Sequence, residues 1–222
     1  MAINQNPAYQ ARHMFLCGTT GSGKSSFLRR LDLLEQFKRV LIWDPDRDHQ
    51  AVHCTSQAQF KSTVMRSIAS GKPFRVAYEA TNATPEEFEF FCGIVWAALD
   101  GKEPTAIIIE ELADVTDSGK GRGYWGQLTR KSRKYGGVIF AISQRPQEID
   151  KSILNMAAYR WCGVVETEAD RKYMSGVLSV KPEDLAAMPA NSSTLCHYYL
   201  KKPGPMAAQF GKFNPQRGRI SL

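Results

Sequence analysis

Short, continuous apolar runs recur along the chain, separated by segments whose apolar residues return every three or four positions. The runs predict strands over 13–17, 39–43, 74–78, 105–109, 137–143, 159–165 and 194–200. They are rich in Val, Ile, Leu and aromatic residues and do not alternate with polar ones. That is the pattern of strands covered on both faces of a parallel sheet. The intervening spacing predicts helices over 24–36, 84–99, 123–135, 146–155 and 168–178. Thr84, followed by Pro85, Glu86 and Glu87, reads as a capped helix start. Strand and helix in alternation imply a three-layer α/β domain with a mainly parallel central sheet and right-handed crossovers. Residues 1–200 read as one such domain. Residues 201–222, rich in Pro, Gly and Lys, read as a basic C-terminal tail with little to pack, extended or mobile.

The first chemistry lies where the first strand meets the first helix. Gly18-Thr19-Thr20-Gly21-Ser22-Gly23-Lys24-Ser25 matches G-x-x-x-x-G-K-[ST] at every fixed position, with a strand before it and a helix after it. Glycines let successive backbone N–H groups turn inward around an anion. Ser26 continues the stretch into the helix. The motif asks for a nucleoside triphosphate, read as ATP, with Lys24 reaching the β- and γ-phosphates and the Ser25 hydroxyl ligating Mg2+.

A triphosphate site needs a metal partner and a water partner on a neighbouring strand. The run Ala106-Ile107-Ile108-Ile109 ends in Glu110 and Glu111, at the strand end where ligands of open α/β sheets bind. Glu110 is placed to hold Mg2+ and Glu111 to deprotonate the attacking water. Many ATPases carry Asp at the first of these positions, so the division of roles between the two stays open. A third buried run ends at Ser143-Gln144-Arg145-Pro146. Gln144 there is placed to touch the γ-phosphate or the attacking water.

Composition narrows the setting. The 222 residues are 43% hydrophobic and 23% charged, a folding composition, with a formal charge of +7 that favours polyanionic partners. Five cysteines form no CxxC pair and mostly sit in apolar runs, which reads as reduced thiols and not as a disulfide frame or a zinc site. No apolar stretch reaches the ~20 residues of a membrane span, and the N-terminus lacks a signal-peptide core, so an intracellular protein is expected. Between Ser118 and Tyr135 there are six basic residues and no acid. Lys120 and Arg122 stand among three glycines there, which reads as a mobile loop able to track a DNA backbone. Tyr124 and Trp125 follow it.

Over Arg12 to Leu178 the set of motifs resembles the FtsK/HerA superfamily of P-loop ATPases, closest to the genome-packaging ATPases of icosahedral bacteriophages with an internal membrane. The marks are the phosphate loop, Leu41-Ile42-Trp43-Asp44-Pro45-Asp46, the acidic strand, and the basic stretch Arg130 to Tyr135 leading through Gly136 and Gly137 to Ser143-Gln144-Arg145-Pro146. The resemblance implies a RecA/FtsK-like motor that hydrolyses ATP with Mg2+ to move double-stranded DNA into a preformed capsid. It implies a homo-oligomeric ring, a hexamer, with an arginine acting across the subunit boundary. Arg133 is the first choice for that arginine by position and Arg160 the second. It implies capsid-vertex or membrane proteins of the virion as partners, and a place in the virion and the host cytoplasm. Three alternatives remain open. One is a phage export or DNA-transfer ATPase, and another a scaffold switched by nucleotide. The third is a P-loop small-molecule kinase, for which the 119–133 stretch would be an Arg-rich lid.

Overall fold

The computed structural model describes residues 10, 12–204 and 206–222. All seven apolar runs become strands: β1 (Met14–Cys17), β2 (Arg39–Trp43), β4 (Phe74–Tyr78), β5 (Thr105–Ile109), β6 (Gly137–Ser143), β7 (Tyr159–Cys162) and β8 (Cys196–Lys201). Two more strands join them, β3 (Val52–Cys54) and β9 (Gln209–Phe213). The nine form one sheet in the order β3-β4-β2-β5-β6-β1-β7-β8-β9. The pairings from β3 to β7 are parallel, and β8 and β9 add an antiparallel edge. The result is an α/β fold, as the strand and helix alternation implied.

The helices are α1 (Lys24–Arg29), α2 (Asp32–Glu35), α3 (Gln57–Ser70), α4 (Pro85–Ala98), α5 (Gly123–Lys131), α6 (Lys151–Met156), α7 (Glu168–Leu178) and α8 (Pro182–Ala186). Side chains of β5 and β6 alternate between two apolar cores. Ile107, Ile109, Ile139 and Ala141 join the larger one with α3 to α7, and Ala106, Ile108, Val138 and Phe140 join the smaller one with α1. Thr84 caps α4 by accepting the Glu87 N–H, with Pro85 in the first turn, as its sequence implies.

Besides β3, β9, α3 and α8, which the sequence pattern does not mark, several segments differ from the expectation. The helix expected over 24–36 breaks at Leu31, because a distant segment takes its backbone groups. Asp32 N donates to Ile220 O at 3.0 Å and Ile220 N donates to Arg30 O at 2.9 Å. That segment belongs to 201–222, expected to have little to pack. Instead, Lys201 ends β8, β9 pairs along it, Phe213 is buried, and Arg30 donates to Pro215 O and Gly218 O. The helix expected over 146–155 starts only at Lys151, where Asp150 accepts the Ser152 N–H as its cap. The five cysteines are free and buried, and burial pushes the Cys17 and Cys92 thiols well up. Among the described residues, no helix is long and apolar enough to cross a membrane.

The N-terminal ends of the central strands β1 and β6 flank a buried titratable group. His13 Nδ1 accepts the Ile139 N–H at 3.0 Å. Burial, aided by the positive charge of Arg133, lowers its pKa from 6.5 to about 4. The unfolded chain therefore binds a proton that the folded chain refuses, and stability drains away as pH falls from 6.5 to about 4. This one group is worth about 3 kcal/mol over that window. In H13N the side-chain oxygen can accept the same N–H but cannot titrate. Urea denaturation across the window is expected to show a shallower pH slope for H13N than for the wild type.

Candidate functional site

The loop after β1 is shaped by backbone that L-residues adopt reluctantly. Gly18, Gly21 and Gly23 have φ of 148°, 77° and 94°. A Cβ on Gly18 would lie 2.6 Å from Ser22 Oγ and 3.1 Å from Val164 O, so a side chain there would displace the loop. Thr19 N donates to Val164 O at 2.9 Å, which ties the loop to the exit of β7. Asn191 braces it from the other side, donating to Ser22 O at 3.1 Å while its own oxygen accepts the His197 N–H. Lys24 opens α1, and its ammonium donates to Gly18 O at 2.7 Å and Thr19 O at 3.0 Å. Burial lowers the Lys24 pKa, while the carboxylates of Glu111, Glu110 and Asp48 oppose that shift.

β6 lies between β1 and β5, with Cys17 level with Ser143 and Ile109 level with Ala141. The phosphate loop, Gln144 and the two glutamates therefore leave neighbouring strand ends on one edge of the sheet. Glu111 has φ 39°, a left-handed backbone. A non-glycine residue held there costs about 1–3 kcal/mol, and its carboxylate is anchored to β6. It accepts Ser143 Oγ–H at 2.9 Å and the Gln144 N–H at 3.1 and 3.2 Å. Gln144 in turn accepts from the Thr20 hydroxyl through Oε1 at 2.7 Å. One chain of hydrogen bonds thus runs from Glu111 through Gln144 to the phosphate loop. Glu110 is buried and shares 2.6 Å with His49 Nε2. A cleft of about 370 Å³ is lined by Thr20, Lys24, Ser25, Ser26, Glu110, Glu111 and Gln144.

No protein-family model matches the sequence. Protein P9 of Pseudoalteromonas phage PM2 is 35% identical to it over 198 residues, 88% of each chain. The chain belongs to the P9 family. The genome-packaging NTPase B204 of Sulfolobus turreted icosahedral virus 2, in complex with sulfate, superposes on this P9-family chain with a TM-score of 0.71. The identity is 14%, over 94% of this chain and 98% of B204. With AMPPCP bound, B204 superposes with a TM-score of 0.70 at 14% identity, over 90% of this chain and 96% of B204. EssC from Geobacillus thermodenitrificans superposes with a TM-score of 0.55 at 12% identity, over 96% of this chain and 41% of EssC. The fold is that of these P-loop NTPases, in agreement with the resemblance drawn from the motifs.

Other residues singled out in the P9-family sequence lie away from this cleft. Arg133 is exposed in the 3-10 turn Ser132–Tyr135, before β6 begins. Gln144 follows the other end of that strand, about 20 Å away at roughly 3.3 Å per residue. Arg160 donates within the chain to Leu154 O, through Nε at 3.0 Å and Nη2 at 2.8 Å. Lys120 and Arg122 are exposed, but their loop is tied down and not free as its glycines imply. Gly121 N donates to Asp150 Oδ1 at 2.8 Å, and Arg130 Nη1 donates to Gly121 O at 2.9 Å. Trp125 is buried, 5.4 Å from Phe88 between ring centroids, and its indole N–H donates to Asp150 at 2.8 Å. Tyr124 is exposed.

Sequence reasoning does not reach His49 or Asn191. A single histidine between Asp48 and Gln50 carries no ligand spacing. Asn191 acts through a loop more than a hundred residues from the one it braces. Ser143 is marked by the sequence as part of the Ser143-Gln144-Arg145-Pro146 run; its hold on Glu111 appears only in the structure.

Proposed function

We propose that this chain is an ATP-hydrolysing translocase that drives a double-stranded viral genome into a preformed capsid. It works as a ring of identical subunits, six by resemblance, at the packaging vertex of the virion during assembly in the host cytoplasm. Capsid-vertex or membrane proteins of the virion would anchor it. The observation that supports this most is the convergence of Lys24, Glu110, Glu111 and Gln144 on one cleft, in a chain with a phage relative and the fold of genome-packaging NTPases.

In this reading the backbone from Gly18 to Ser26 cradles the triphosphate, and Lys24 exchanges its loop carbonyls for the β- and γ-phosphates. Mg2+ fits the donors present. It keeps most of its waters and takes one or two protein oxygens beside phosphate oxygens. Ser25 and Glu110 line the same cleft and would hold it. Among the described residues no group of three or more His, Cys, Asp or Glu forms a cation site, which suits an ion held mainly by water and by the nucleotide it accompanies. Held by Ser25 and Glu110, the cation would neutralise charge on the phosphates. Glu111 takes the proton of the attacking water, whose oxygen bonds to the γ-phosphorus as the bond to the β–γ bridging oxygen breaks. ADP and phosphate result. Gln144, bonded to both Thr20 and Glu111, couples the γ-phosphate position to the end of β6. Arg133 of each subunit serves the neighbour's cleft, and Lys120 and Arg122 grip the DNA backbone. The lid expected of a kinase has less support: Tyr124 N donates to Glu89 on α4, and Asp150 holds the preceding loop.

Phosphate release measured with and without linear duplex DNA, at two salt concentrations, tests the reading. DNA is expected to raise the rate, and added salt to weaken that stimulation as counterion release requires. A rate indifferent to DNA, or phosphate transfer to a nucleoside by a monomer, contradicts it.

A further inference from the structure

The turn that follows β2 has no part in the mechanism above, yet it is tightly built. Asp44 is fully buried, and its carboxylate accepts the Asp48 N–H at 2.8 Å through Oδ1 and the His49 N–H at 3.0 Å through Oδ2. Arg47 turns the chain with φ 60°, and its N–H donates to Asp44 O at 3.4 Å. From the far side, His53 Nε2 donates to His49 O at 2.9 Å. These bonds fix the His49 backbone on both sides. β2 and β5 are neighbours with Trp43 level with Ile109, so the turn leaves β2 beside Glu110. The His49 and Glu110 side chains are 4% and 10% exposed, with Nε2 and Oε1 2.6 Å apart.

We propose that His49 is a positioning residue for Glu110, and that the Asp44-Pro45-Asp46 turn exists to present it. The inference rests on the nucleotide-site reading above and deepens it. A glutamate is one methylene longer than an aspartate and has one more torsion to freeze before it can hold a cation. The imidazole N–H, donating to Oε1 of the ionised carboxylate, removes that freedom and leaves Oε2 as the oxygen Glu110 offers the metal. This accounts for a Glu at a strand end where many ATPases carry Asp. Outer-shell partners of this kind fix ligand orientation and tune metal affinity.

The test compares H49Q and H49M, two side chains of similar shape, of which only Gln has an N–H to give. Mn2+ binding is followed by electron paramagnetic resonance with AMPPCP present, and AMPPCP affinity is measured again without metal. H49M is expected to bind Mn2+ about tenfold or more weakly than the wild type, the range seen when such partners are lost. Its metal-free AMPPCP affinity is expected to stay unchanged, and H49Q to recover most of the Mn2+ affinity. Should H49M fail to fold, H49N replaces it, since its shorter amide does not reach Glu110. Wild-type Mn2+ affinity in a folded H49M or H49N overturns the proposal, as does an H49Q no better than H49M. If the wild type binds AMPPCP but no Mn2+, the metal assignment of Glu110 fails and the proposal with it. If it binds neither, the nucleotide-site reading itself is at fault.

Discussion

Replacing Glu111 by Gln is expected to leave ATP binding intact while turnover falls by a hundredfold or more, the usual loss when a general base is removed. The two side chains have the same shape. Gln can keep an oxygen facing Ser143 Oγ and the Gln144 N–H, the contacts that now hold Glu111 at 2.9 to 3.2 Å. The left-handed backbone at φ 39° is therefore retained, and so is the bond from Thr20 to Gln144. What the amide cannot do is take a proton from water. Binding of a fluorescent ATP analogue, paired with phosphate release from the same preparation, reads the two effects apart. Normal turnover in E111Q would move the base to another residue, with Glu110 the first to examine.

The second large effect is expected at Arg133. A guanidinium delivered to the γ-phosphate is worth about 10³–10⁵ in turnover in phosphoryl-transfer enzymes. In the proposed ring, R133A loses DNA-stimulated hydrolysis by about a thousandfold. Its ATP affinity as a separate subunit is expected to be unchanged, because Arg133 stands a strand length from its own cleft, before β6 begins. R160A is the contrasting case. Arg160 holds the Leu154 carbonyl through two donors, so its loss is expected to lower the melting temperature and not to abolish catalysis in a ring that still assembles. If R133A hydrolyses ATP normally with DNA present, the trans role of this residue is wrong.

Much of the fold was legible because the strands at its centre are nearly all apolar. β2, β4, β5 and β6 occupy the residues expected, and α7 does so too, with Thr167 as its cap. The misses have separate causes. In α3 only Phe60 and Val64 are fully buried, among Ser, Thr, Gln and Lys that weaken a helical pattern. β9 reads Gln-Phe-Gly-Lys-Phe and buries only its last residue, so nothing in its pattern marks an edge strand. The break at Leu31 depends on Ile220, a partner nearly the whole chain away, and short-range periodicity cannot see it. The same contrast holds at the candidate site. The phosphate loop, Glu110, Glu111 and Gln144 are marked by contiguous patterns at strand ends. His49 is set by a fold of the backbone around Asp44, and only the assembled sheet brings it to Glu110.

The measurement that bears most directly on a shared site mixes two inactive proteins. E111Q subunits lack the base and keep Arg133; R133A subunits lack the guanidinium and keep Glu111. In a mixed ring some boundaries join an intact Glu111 to an intact Arg133, so DNA-stimulated phosphate release is expected to reappear on mixing and to rise and then fall as the ratio is varied. If every mixture stays as inactive as its parts while rings demonstrably form, ATP is not hydrolysed between subunits and the account is contradicted.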